Sequence, residues 1–93
     1  MTGDLQGLID RAAAVLRAEG AREIYVFGSA AKGELRTGSD VDLAVSGLPP
    51  QVFFRAMSKV SDVPGRQIDL IDLDEDSPFA RYLRENGELL RVG

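Results

Sequence analysis

The stretch Val26–Val45, "VFGSAAKGELRTGSDVDLAV", decides the reading of this chain. It opens on the apolar end of "EIYVF", Glu23–Phe27, and breaks at Gly28-Ser29. A second glycine follows at Gly33. The stretch then returns to an apolar run, Val41 to Ser46, with aspartates at positions 40 and 42. Aspartate is a poor strand residue, so two of them one residue apart ask for a chemical reason. Side chains alternate across a strand, which puts Asp40, Asp42, Ala44 and Ser46 on one face and Val41, Leu43 and Val45 on the other. The apolar face can pack under helices. The acidic face cannot be a sealed core, because unpaired carboxylates there are costly and repel each other. A divalent cation relieves both problems, and Mg²⁺ is usually held by one or two carboxylates, waters and substrate phosphates.

Gly28 and Ser29 supply the complementary half. Backbone N–H groups where a strand turns into a short helix attract phosphate. Glycine permits close backbone approach, and a serine hydroxyl donates to a phosphate oxygen. Gly33 lets the chain leave the turn without steric conflict, and Lys32 and Arg36 add positive charge nearby. The stretch is neither a Walker loop nor a GxGxxG fingerprint. Counted as an EF-hand from Asp40, it has Val45 and Gln51 where Gly and Glu are required.

Outward from this stretch, the hydrophobic periodicity predicts a helix over 4–19, stopped by Gly20, and a strand over 23–27. A helical turn is expected at 29–32, a loop at 33–38 and a strand at 41–46. "GLPP" breaks the chain before a helix over 51–60 with Val52, Phe53, Met57 and Val60 inward. "VPGR" turns into a strand over 67–73, "QIDLIDL". Ser77-Pro78 opens a helix to about Arg84, with Ser77 as N-cap and Pro78 at the first helical position. Gly87 closes it, and Leu89–Val92 adds a short edge strand. The acids in "DLDEDSP" sit where a helix dipole favours them. Residues 1–93 form one domain with no repeat or linker, in the α/β (α+β) class: a small mixed sheet with helices packed on one face.

Composition narrows the chemistry. The chain has 93 residues, 44% hydrophobic and 28% charged, with net charge −4 and neither cysteine nor histidine. A domain of this size buries about 60–65% of its unfolded surface, a modest core. The acidic balance argues against an extended nucleic-acid surface. Without Cys and His, thiol catalysis, Ser-His pairs and most zinc sites are excluded, which leaves carboxylates, Lys, Tyr, Ser or a hard metal. No apolar run reaches the length of a membrane span and no signal pattern opens the chain, so a cytoplasmic protein is expected.

"GSAAKGELRTGSDVDLAV" resembles the GSxxxG…SDxDL signature of the DNA polymerase β-like nucleotidyltransferases. The compact chain looks like a minimal nucleotidyltransferase, the antitoxin-type partner of HEPN-domain toxins. The resemblance spans the first helix through "QIDLID". It implies that Asp40 and Asp42 hold two Mg²⁺ ions and that a third carboxylate on the next strand completes the set. Asp69 and Asp72 both match that position, and Asp69, early in the strand, fits the pattern better. It further implies ATP as substrate, with Gly28, Ser29, Lys32, Gly33 and Ser39 on the nucleotide side, and transfer of AMP to a hydroxyl, typically tyrosine, of a partner toxin. Lys32 stands where the family often has Arg, which removes a bidentate fork. The helical domain of larger relatives is absent from these 93 residues, which implies that a partner supplies it or is itself the acceptor. The alternative is a non-catalytic antitoxin or nucleotide-binding module that acts by stoichiometric contact, for which the apolar "ELLRVG" offers surface.

Overall fold

A computed structural model of the chain describes residues 3–28, 31, 40–63, 67–86 and 89–92. The elements are α1 (Gly3–Ala18), β1 (Glu23–Phe27), β2 (Val41–Ser46), α2 (Pro50–Ser61), β3 (Ile68–Asp72), α3 (Pro78–Asn86) and β4 (Leu90–Arg91). The sheet runs β3-β2-β1-β4. β1 is antiparallel to β2 and to β4, and β2 is parallel to β3 across the α2 crossover. The sheet is therefore mixed, as the sequence implies. The expected turn and loop at 29–38, the "PGR" part of the turn before β3 and the closing Gly87 lie outside the described residues, except for helical Ala31.

α1 and α2 cover one face of the sheet. Leu8, Ile9, Ala12, Ala13 and Leu16 of α1 meet Ile24, Val26, Val41, Leu43 and Val45 from the strands. α1 ends in a Schellman pair: the Ala21 N–H donates to the Leu16 carbonyl (3.1 Å) and the Gly20 N–H to the Arg17 carbonyl (2.9 Å). α2 opens on Pro50, whose missing N–H is one of the helix's orphan donors in any case. It buries Phe53, Ala56 and Val60. Met57, expected inward, is only partly buried. Phe53 and Phe54 are consecutive, and neighbouring positions on a helix cannot share a face. Phe54 accordingly stands 67% exposed. Glu19, just beyond α1, ties the two helices by accepting from Lys59 Nζ (2.7 Å) and Arg55 Nε (2.6 Å).

The second face differs from the expectation of an unsealed acidic face. Ala44, on the same side of β2 as Asp42, is fully buried. It packs with Phe27, Leu73 and Leu83 in a small second cluster. Leu83 comes from α3, which Ser77 caps by accepting from the Ala80 N–H (3.1 Å). Phe79 of α3 meets Phe27 edge-on with ring centroids 5.9 Å apart. The acidic face is thus covered at Ala44, beside Asp42. Contact between α3 and β2 spans some forty positions of sequence, so the alternation along β2 could not show it. No helix among the described residues is long and apolar enough to cross a membrane.

Candidate active site

Antiparallel register sets Phe27, the last residue of β1, opposite Asp42. The next residue, Gly28, has φ +68°. A Cβ built on Gly28 would lie 2.6 Å from Asp42 Oδ2. Only glycine satisfies both conditions: it adopts the left-handed backbone without penalty and leaves room for the carboxylate. The turn after β1 and the aspartate of β2 are therefore fitted to each other, although fourteen positions separate them in sequence.

Parallel register sets Asp42 opposite Asp69 on β3. The two side chains share a face, and adjacent strands lie about 4.7–4.9 Å apart. Asp42 is half-buried, whereas Asp40 and Asp69 are exposed. Burial pushes the proton affinity of Asp42 up, and the negative charges of Asp69 and then Asp40 push it further the same way. Among the described residues no ion pair joins any of these three carboxylates to a cation. The opposed pair is thus a like-charge contact without described neutralisation. Among the described residues no group of three or more carboxylates is drawn together closely enough to cage a metal ion.

Asp72 is on the other face of β3. Its Oδ1 accepts from the Asp74 N–H (2.9 Å) and shapes the turn after the strand. It stands opposite Val45, three positions beyond Asp69, and strand alternation excludes it from the Asp42 side. Ser29, Lys32, Gly33 and Ser39 lie outside the described residues, so the described site comprises Gly28, Asp40, Asp42 and Asp69.

Beside the carboxylates runs an open groove of about 1020 Å³. Asp42 and Asp69 line it together with Phe27, Phe54, Met57 and Phe79. The sequence placed Met57 inward and read the apolar stripes of 52–60 and 79–83 as core or partner surface, not as part of the carboxylate site. The signal for Phe54 was present in the Phe53-Phe54 pair, one of which had to face outward. For Phe79 and Phe27 there was none, since only tertiary packing brings them to Asp42.

The chain was compared with known proteins. Residues 13–91 match the family described as Polymerase beta, Nucleotidyltransferase. Comparison with curated proteins gave no match. Among solved structures, a minimal nucleotidyltransferase is 30% identical, with 96% of each chain covered and a TM-score of 0.71. A chain of a toxin–antitoxin complex with AMP-PNP is 22% identical with a TM-score of 0.70, covering 88% of this chain and 69% of that one, a likeness of fold. A complex of a tri-AMPylated Shewanella oneidensis HEPN toxin with an MNT antitoxin matches at 25% identity and a TM-score of 0.57, over 77% of this chain and 58% of that one. With the family matched over most of its length and the carboxylate pair seated beside the glycine turn, the chain belongs to the polymerase β nucleotidyltransferase family.

Proposed function

We propose that this nucleotidyltransferase uses Mg-ATP to transfer AMP to a hydroxyl of a protein partner, a HEPN-type toxin, as the antitoxin of a toxin–antitoxin pair. The observation that carries the proposal is the opposition of Asp42 and Asp69 on one strand register, with Gly28 folded against Asp42. The donor set is all hard oxygen, which fits Mg²⁺. The raised proton affinity of Asp42 marks a negative charge that the described protein leaves uncompensated. Asp40, Asp42 and Asp69 would hold the metal, which when bound supplies charge neutralisation at the triphosphate and activation of the acceptor hydroxyl. The exposed Asp40 and Asp69 leave the carboxylate end free to close on a ligand.

The chain's own residues then have distinct tasks. The Gly28 turn, with Ser29, Lys32, Gly33 and Ser39, grips the nucleotide's phosphates. Asp42, braced by Gly28 and the Phe27 pairing, would hold the metal at a fixed place relative to the strands. Asp69 accepts the proton of the acceptor hydroxyl. The acceptor oxygen bonds to the α-phosphorus, the bond from that phosphorus to the β-phosphate oxygen breaks, and pyrophosphate leaves. Most of the rate gain arises from positioning and charge stabilisation. The relatives support this reading through a bound ATP analogue in one and an AMPylated toxin in another.

The test is intact-mass analysis of a HEPN-type toxin incubated with the chain, MgCl₂ and ATP. The expected result is addition of AMP, abolished by Asp42→Asn. If no AMP is added, and Asp40→Asn/Asp42→Asn still neutralises the toxin fully, the second reading replaces the first. That reading, a binding antitoxin without catalysis, is favoured by the exposed apolar side chains Phe54, Phe79, Tyr82 and Leu90.

A further inference from the structure

β3 is a terminal strand of the sheet, and no described strand pairs with its outer edge. Its hydrogen-bonding pattern shows which groups face outward. The Val41 N–H donates to the Gln67 carbonyl (2.9 Å) and the Leu73 N–H to the Val45 carbonyl (2.8 Å). In a parallel ladder alternate residues bond to the same neighbour. Gln67, Asp69, Ile71 and Leu73 therefore turn their main chains to β2, and Ile68, Leu70 and Asp72 turn theirs outward. Ile68 and Leu70 as whole residues are only 7% and 6% exposed, and what they leave open lines the groove beside Asp42 and Asp69. Open edges of this kind are normally blunted by Lys, Pro or a bulge. β3 carries neither Lys nor Pro, and its only charges are Asp69 and Asp72.

This edge lines the groove that holds Asp42 and Asp69. The described lining contains no Lys or Arg. We propose that the open edge of β3 docks the acceptor, an extended segment of the protein partner that adds to the sheet as a further strand. This deepens the function proposed above and rests on it. Alternation along such a strand sends one set of side chains over Met57 and Phe54 of α2 and the other over Asp69 and Phe79. The segment accordingly carries apolar residues on one face, and a hydroxyl-bearing residue on the other, opposite Asp69. Basic residues flank that hydroxyl, because the charges of the described lining are all negative and a bound triphosphate adds more. The same charges exclude a second copy of this chain as the occupant. Edge-to-edge pairing would bring Asp69 and Asp72 against their equivalents in a chain of net charge −4. A helix is also excluded, since its main chain is internally bonded and cannot satisfy the outward groups of Ile68 and Leu70.

The test uses the ¹⁵N-labelled full chain with MgCl₂ and AMP-PNP. The probe is a short synthetic peptide of alternating lysine and valine around a central tyrosine, with a glutamate-for-lysine peptide as comparison. The lysine peptide is expected to slow hydrogen exchange at the Ile68 and Leu70 amides by about tenfold or more, because each gains a strand partner. With ATP in place of the analogue, its tyrosine gains AMP. A chemically ligated chain with an N-methyl group on the Leu70 amide keeps every side chain. It is expected to retain its circular dichroism and nucleotide binding and to lose the peptide effect. The proposal is overturned if the lysine peptide fails to bind at millimolar concentration, or binds without protecting these amides. It is equally overturned if the N-methylated chain or the glutamate peptide performs as well. Loss of Mg-AMP-PNP binding in the unmodified chain would remove the proposed function and this docking together. Nucleotide binding without edge protection removes the docking alone.

Discussion

Gly28→Ala tests the site more directly than removal of a carboxylate, because it leaves all charges in place. The substitution does two separable things. It puts a Cβ on a residue at φ +68°, where an L-residue is disfavoured by about 1–2 kcal/mol. It also places that Cβ 2.6 Å from Asp42 Oδ2. Carbon–oxygen contacts settle at about 3.3–3.6 Å, so the carboxylate must retreat by about 0.7–1 Å. A displacement of about 1 Å at a reacting group costs about a hundredfold in rate. The stability loss lowers Tm by about 4–8 °C per kcal/mol in a domain of this size. Gly47→Ala separates the two effects. Gly47, at φ +96°, sits at the opposite end of β2, and its added Cβ meets Arg22 Cγ at 2.9 Å and the Arg22 backbone N at 3.0 Å. Backbone cannot swing aside as a carboxylate can, so Gly47→Ala should lower Tm at least as much as Gly28→Ala. Only Gly28→Ala should weaken Mg-dependent ATP-analogue binding and AMP transfer. Differential scanning fluorimetry and calorimetric titration read the two quantities on the same samples. If Gly28→Ala binds and transfers like the wild type, or Gly47→Ala loses both while still folded, the proposed fit of turn to carboxylate is wrong.

Asp42→Asn should raise the Tm of the metal-free protein at pH 7 while abolishing Mg-dependent nucleotide binding. Because the folded protein holds the Asp42 proton more tightly than the unfolded chain does, the favourable contribution is present below the unfolded pKa. It is lost as pH rises through the raised folded value. The gain from Asn therefore fades as pH falls through the raised folded value toward the unfolded one, where Asp42 takes up its proton; an unchanged or lower Tm at pH 7 contradicts this. Glu19→Gln acts in the opposite sense. Lys59 and then Arg55 hold the Glu19 carboxyl below the usual range, so its contribution exists above the unfolded pKa and disappears as pH falls through the lowered one. The variant should melt earlier than wild type at pH 7 and together with it in strong acid, as a thermal melt series across pH will show. Ser77→Ala removes the acceptor of the Ala80 N–H and should cost about 1 kcal/mol by urea unfolding. AMP transfer per folded molecule should stay intact, and a loss of transfer would tie α3 to the chemistry itself.

Local features of the fold were legible because each has a local cause. The bounds of β1 and β2 coincide with the runs "EIYVF" and "VDLAVS". Ser77 caps its helix as its position before Pro78 implied. What the sequence left open is long-range. Asp69 and Asp72 both satisfy the pattern of a third carboxylate, and the family resemblance favours Asp69 only by its early place in the strand. The β2–β3 register separates them, because an odd offset along a strand reverses the face. Ala44 looked like a member of an open acidic face until α3 and Leu83 closed over it. Asp42, next but one to Ala44 on β2, is itself half-buried, and that burial raises its proton affinity, a property that no local pattern shows. Gly28 shows the same division. Its place before Ser29 implies a phosphate turn, whereas its clearance for Asp42 exists only once Phe27 and Asp42 are paired. The residue types needed for phosphoryl transfer can thus be read one at a time along the chain. Whether they act as a unit depends on two strand registers and one helix packing, and a variant that shifts either register by one residue should lose activity with every proposed catalytic side chain still present.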